Sequence, residues 1–286
     1  MNEPSNHNRN LGSISNSHYY FIGLLVLIGF VGYWVAKYNG LMAWLLTMGL
    51  MTAMVISAGK DIQGFFFGFL IDERNRYSLS RLQTLVWTIL ILSAYLTAVF
   101  INLRTHAPDA LAVAIPEQLW VLMGISVTSL LGSPLLVNQK REEGNESEIA
   151  KKAALSQETR AIGPPADAQG AEPVSLDGEI VLNQEPRQAT WSDLFKGEAA
   201  NNHKYLDISR VQMFFFTFIL VVAYGFYLGQ MFAGYSDGEG YENTISSLPA
   251  ISSGMLALLG ISHTAYLGNK TVPARRASVA TPPSNQ

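Results

Sequence analysis

The chain is 286 residues long, only 14% of it is charged, and its mean hydropathy is positive at +0.18. It contains no cysteine, which excludes disulfides and thiolate metal sites. The formal net charge of −3 decides little. Long uncharged runs alternate with very polar ones, and that patchiness marks a membrane protein.

In chain order, residues 1–18 are rich in Asn and Ser, lack apolar periodicity and read as a disordered arm. Six stretches then approach the roughly 20 apolar residues that a helical span needs. They are Tyr19–Ala36, Leu41–Ala58, Leu82–Leu103, Leu119–Val137, Val211–Phe232 and Leu248–Leu267, and none holds Asp, Glu, Lys or Arg. The first reads as a retained helix rather than a signal peptide. Its leading arm has little positive charge, and it ends in Lys37-Tyr38-Asn39 instead of a small-residue cleavage site. The first two spans form an N-terminal hairpin, residues 19–58, whose Gly and Met residues serve packing.

Residues 60–77 carry the apolar run Gly64–Ile71, too short to span, followed by Asp72-Glu73-Arg74-Asn75-Arg76. Such a segment lies in the interface or re-enters the bilayer. The interfacial reading is preferred, because nothing near it resembles a selectivity filter. Residues 138–190 mix charge with Ala, Pro, Gly and Gln and read as a flexible linker. Residues 191–206 open on Trp191-Ser192-Asp193-Leu194-Phe195-Lys196, a second interfacial segment, and residues 269–286 form a Pro-containing disordered tail.

The organising feature is a duplication. Ser80-Arg81-Leu82-Gln83 opens one apolar run and Ser209-Arg210-Val211-Gln212 opens another. At the same offset of 129 the copies share Thr88/Thr217 and Tyr95/Tyr224. Each is followed by a second apolar segment with Gly-Ile-Ser, at Gly124–Ser126 and Gly260–Ser262. Residues 78–137 and 207–268 therefore read as two copies of a two-helix unit. The expected fold is all-α and polytopic, with six transmembrane helices, the last four a parallel repeat. If both termini face the cytoplasm, all of the 19 Lys and Arg except Lys37 and Arg104 fall inside, which sets the orientation.

Ser80/Gln83 and Ser209/Gln212 fit a capping box. Arg81 and Arg210 do not belong to that pattern, since a cation in the first turn opposes the helix dipole. They read as interface anchors that reach lipid phosphates, or as partners of Asp72, Glu73 or Asp207. Arg81, Thr88 and Tyr95 are seven apart, as are Arg210, Thr217 and Tyr224, so each trio shares a stripe. With Ser126 and Ser262 these side chains form an intramembrane polar stripe, read either as helix–helix hydrogen bonding or as a polar path. Gly124, Thr128 and Gly132, and likewise Gly260, Thr264 and Gly268, are four apart and read as small-residue helix packing within or between chains. His263 has no counterpart in the first copy and reads as a packing histidine.

No nucleotide-binding loop, metal-ligand spacing or catalytic elbow occurs. No metal and no cofactor is expected, the scattered bases do not suggest nucleic acid, and an enzyme is not the expectation. The adjacent acids Asp72-Glu73 and Asp193/Glu198 read as solvated faces. The run Ile71–Gln83 resembles a group of uncharacterised bacterial multi-spanning membrane proteins that share the Ser-Leu-Ser-Arg-x-Gln entry, the later Gly-Ile-Ser, and a second entry like Gln212–Thr217. The resemblance covers Gly64–Val137 and Trp191–Gly268. It implies a bacterial inner-membrane location and this topology, and no activity. The resulting expectation is a non-enzymatic scaffold or sensing module that forms a homo-oligomer in the bilayer, with the linker as a contact for a cytoplasmic protein. The rival is a passive channel or transporter lined by the repeated Thr/Tyr/Ser stripe.

Overall fold

The computed structural model describes residues 11–128, 174–177, 180–197, 205–235 and 244–271. Apart from one small hairpin, its regular structure is helical. The helices are α1 (Leu11–Ala36), α2 (Gly40–Gln63), α3 (Leu79–Arg104), α4 (described over 117–128), α5 (Ile208–Ala233) and α6 (Ser253–Thr271). Strands β1 (Val174–Asp177) and β2 (Ile180–Asn183) pair antiparallel. Short 3₁₀ turns occupy Gly68–Leu70, Pro186–Gln188 and Trp191–Leu194.

Four helical stretches among the described residues are long and apolar enough to cross a bilayer: Tyr19–Ala36, Gly40–Gln63, Leu79–Arg104 and Ile208–Ala233. Helical structure suits that setting, because it satisfies every interior backbone group without water. The apolar side chains of α1 mostly face outward, with Tyr20, Val26 and Phe30 exposed, as lipid permits. This is an integral membrane protein.

The hub is α3. Of its apolar window 56% is buried, against 17% for α1 and for α2 and 28% for α5. It packs on α1, α2 and α5, and α5 packs on α6. The main core runs through Trp44, Trp87, Ile91, Leu122, Leu220 and Leu228. The Trp44 indole N–H is satisfied there by Ser93 Oγ at 3.1 Å.

Close backbone approaches set the ends of the bundle. Gly40 N–H donates to Tyr235 O at 2.7 Å, and a Cβ on Gly40 would lie 2.7 Å from Phe232 O, so the α1–α2 turn rests on the end of α5. At this end the connections into α4 and α6 also pair. Ala114 N–H donates to Ser246 O at 2.8 Å, and Leu248 N–H donates to Ala114 O at 2.9 Å. Asn102 adds bonds to both backbone groups of Ile245. This pairing explains why α6 starts at Ser253 and not at the expected Leu248: residues 248–252 are extended, held by that ladder and by Pro249. In the other direction α2 outruns Ala58 by one charged turn. It stops where Gly64, at φ 80, donates to Lys60 O.

The expected linker is partly built. β1 and β2 lie within 138–190, and β2 ends on Asn183, which docks on the loop before α3. Composition gave no sign of this, because the docking depends on that distant loop.

Candidate functional site

The best-organised polar region lies where α3 and α5 begin. The two helices run from Leu79 to Arg104 and from Ile208 to Ala233, 26 residues each, and their limits stand at the same 129 offset as the motifs. Their N-caps are also equivalent, but they are Ser78 and Asp207. Ser78 Oγ accepts from Arg81 N–H at 3.4 Å; Asp207 Oδ1 accepts from Ser209 N–H at 3.0 Å and Arg210 N–H at 3.4 Å. Ser80 and Ser209 therefore sit inside the first turn, and the expected capping boxes do not form. The cause lies upstream. Tyr77 bridges Ile71, and Leu206 bridges Lys196, in short antiparallel contacts. Ser78 N–H then bonds Leu70 O and Asp207 N–H bonds Phe195 O, so each chain turns helical two residues before the predicted cap.

Gln83, released from capping, is buried and reaches across to α5. Its Nε2 donates to Thr217 Oγ1 at 2.6 Å and to Met213 O at 3.3 Å. Gln212 is exposed and makes no equivalent link.

The two segments before these helices form a cap with its own apolar centre, Leu70, Ile71, Tyr77, Leu79, Leu194 and Met213. Trp191 packs edge-on against Phe67 and tilted against Tyr77, with ring centroids 5.0 and 5.2 Å apart. Gly59 and Gly68 let this cap fold back on α2, since a Cβ on Gly68 would stand 2.5 Å from Gly59 O.

Inside the cap the charges are buried. Asp193, expected on a solvated face, is only 6% exposed. Its carboxylate accepts from Thr190 N–H at 2.8 Å and lies 3.5 Å from the Arg76 guanidinium and 3.9 Å from Lys196 Nζ. Its carbonyl accepts from Arg210 Nη1 at 3.4 Å, and Arg210 also pairs with Asp207 at 3.7 Å. Arg76 completes the link by donating to Gly197 O at 3.3 Å. Burial pushes the Arg76 guanidinium below its usual value; Asp193 opposes this, and Arg74 and Arg210 add to it. Burial, then Asp193, pushes the Tyr77 phenol up. Of the two motif arginines, Arg210 is thus an ion-paired clamp. Arg81 is half-buried and forms no ion pair among the described residues.

The loop between Asp72 and Arg76 is wound on Asp72, whose Oδ1 accepts from the N–H of Arg74 and Arg76, with Asn75 at φ 56. It grips the linker through four bonds, the longest from Asn75 Nδ2 to Gln184 O at 3.5 Å. Asn75 Nδ2 donates to Asn183 O at 2.9 Å, Asn183 Nδ2 to Asn75 O at 2.9 Å, and Asn183 N–H to Arg74 O at 3.1 Å.

The rest of the predicted stripe meets several separate partners. The Tyr95 hydroxyl donates to Leu111 O at 3.2 Å, and the Tyr224 hydroxyl to Pro249 O at 3.0 Å. Each pins the connection that follows its own helix. Thr88 is half-buried, while Ser126, Ser262 and His263 are buried. Gly124, Thr128 and Thr264 face outward, and a Cβ on Gly124 would meet nothing within 4 Å. On Gly260 it would meet only Ile125, at 3.8 Å. Gly268 continues α6, and Gly132 lies outside the described residues. Asn75, Arg76, Asn183 and Asp193 were not predicted, as each acts only through a long-range partner. No group of His, Asp or Glu that could hold a metal occurs among the described residues. Compared with known proteins, the chain matches no family model, no curated protein and no solved structure.

Proposed function

We propose that this is a non-enzymatic scaffold or sensing module of the bacterial inner membrane, with six spans and both termini cytoplasmic. α4 and α6 complete the six, and the α3–α4 and α5–α6 units are two copies in parallel. The matched helix limits, the matched caps and the paired tyrosine-to-loop bonds support the duplication. The observation that carries the functional reading is the cap. A buried Arg76–Asp193–Arg210 cluster locks the entries of both copies together, and the adjoining loop holds the linker hairpin on the same face. That is a built platform for a cytoplasmic protein, and the outward small residues at Gly124 and Thr128 suit contact with a second copy. A pore reading gains less, because both tyrosine hydroxyls are engaged by their own loops.

Arg210→Ala in reconstituted protein separates the two. The scaffold reading expects loss of the defined oligomer and faster proteolysis of the linker. Altered solute flux with oligomer and linker intact would overturn it.

A further inference from the structure

A second polar region lies deeper, among α3, α4, α5 and α6. Contacts link them in turn. α3 packs on α5 and α5 on α6; Gly260 on α6 faces Ile125 on α4; and Thr84 on α3 donates to Ser126 O on α4 at 3.2 Å. Five buried side chains lie close in sequence to those contacts. Gln83 and Trp87 flank Thr84 on α3, Ser126 is the acceptor residue on α4, and Ser262 and His263 follow Gly260 on α6. At about 1.5 Å of rise per residue, each lies within about one turn of a Thr84–Ser126 or Ile125–Gly260 contact. All five are 3% exposed or less. Yet Gln83 Oε1, Trp87 Nε1, Ser126 Oγ, Ser262 Oγ and both ring nitrogens of His263 find no hydrogen-bond partner among the described residues.

Buried polar groups are normally paired, and each one left alone costs free energy. Five on one level of a bundle point to a shared partner that is not protein. We infer that Gln83, Trp87, Ser126, Ser262 and His263 line an internal chamber that binds a cluster of ordered water. The chemistry fits that ligand class. Trp87 offers a donor, Gln83 an acceptor, the serines both, and neutral His263 one of each. The five include no Asp, Glu, Lys or Arg, so the chamber suits water or a small neutral hydroxyl or amide solute. Water between two and four such groups is a stable arrangement.

Radiolytic hydroxyl-radical labelling of the full chain in lipid nanodiscs tests this, because bound water is the source of the radical. Trp44 is the internal control: it is equally buried, but its indole N–H is bonded to Ser93. Trp87 is expected to label several-fold faster than Trp44, and Ser126→Ala/Ser262→Ala to reduce that labelling. Equal protection of the two tryptophans would overturn the inference. Thermal unfolding gives an independent arm. In a hydrated chamber the double alanine variant strips partners from the water and lowers Tm. In a dry one it removes two orphaned hydroxyls and raises Tm, which would also overturn it.

Discussion

Neutralising Asp193 takes the carboxylate partner from buried Arg76, while the backbone carbonyl that Arg210 uses stays in place. Breaking one side of a buried pair costs about 3 kcal/mol or more, so Asp193→Asn should lower unfolding stability by about that much, measured by denaturant titration in detergent. Tyr77 supplies a pH test. Its folded value lies above the ordinary tyrosine value of about 10, since burial and Asp193 both disfavour the phenolate. The sign follows: its contribution is complete below pH ~10 and is lost as pH rises through the folded value. Trp191 fluorescence should report the cap loosening in that alkaline range, and Tyr77→Phe should abolish the transition. Neither residue stood out in the sequence. An Asp beside Trp and Ser on a polar segment looks solvated, and only the docking of 191–197 against the 72–76 loop buries it. The arginine at 210 was legible because it broke the dipole preference, and the structure supplies its reason in Asp207 and the Asp193 carbonyl.

Helices were more legible than their ends. Uncharged runs bounded by polar segments located α3 and α5 to within three residues, because burying a charge in lipid is costly, whereas α1 starts at Leu11, inside the arm expected to be disordered, and α2 runs on to Gln63. The caps were misplaced by two residues. Ser-x-x-Gln is a real capping pattern, but the bridge at Tyr77 commits the backbone before Ser80 is reached. The return of the cap onto α2 rests on glycine instead. A methyl at Gly68 would stand 2.5 Å from the Gly59 carbonyl and 2.6 Å from Gln63 Cβ. Overpacking of this kind costs about 1–3 kcal/mol. Gly68→Ala should therefore destabilise the cap by that amount, while Gly49→Ala, with nothing within 4 Å, should leave it unchanged; thermal melts of both variants make the comparison. Among the described residues the linker hairpin is held through Asn183 and the 74–75 loop, with Asn75 reaching on to Gln184 O. Asn183→Ala should speed limited proteolysis of 174–183, read by mass spectrometry, without altering the helical core.

Across the whole molecule, α3 and α5 lie around a common core and are joined at both ends, as the proposed duplication expects. At one end the joint is the charged cap; at the other it is the Ala114–Ser247 bridge with Asn102. Between them, Gln83–Thr217 crosses from one unit to the other. Two copies braced at three levels make a stiff support, with little freedom for the rocking that alternating access needs. The paired residues suggested a repeat, but the bracing was not readable, since its bonds join residues that do not correspond. The most direct measurement is ion and small-solute flux in liposomes carrying the purified protein, with particle mass determined on the same sample. A defined oligomer that passes no more solute than empty liposomes is the predicted result. Flux above that background, abolished in Tyr95→Phe/Tyr224→Phe, would contradict it and restore the repeated stripe as a path.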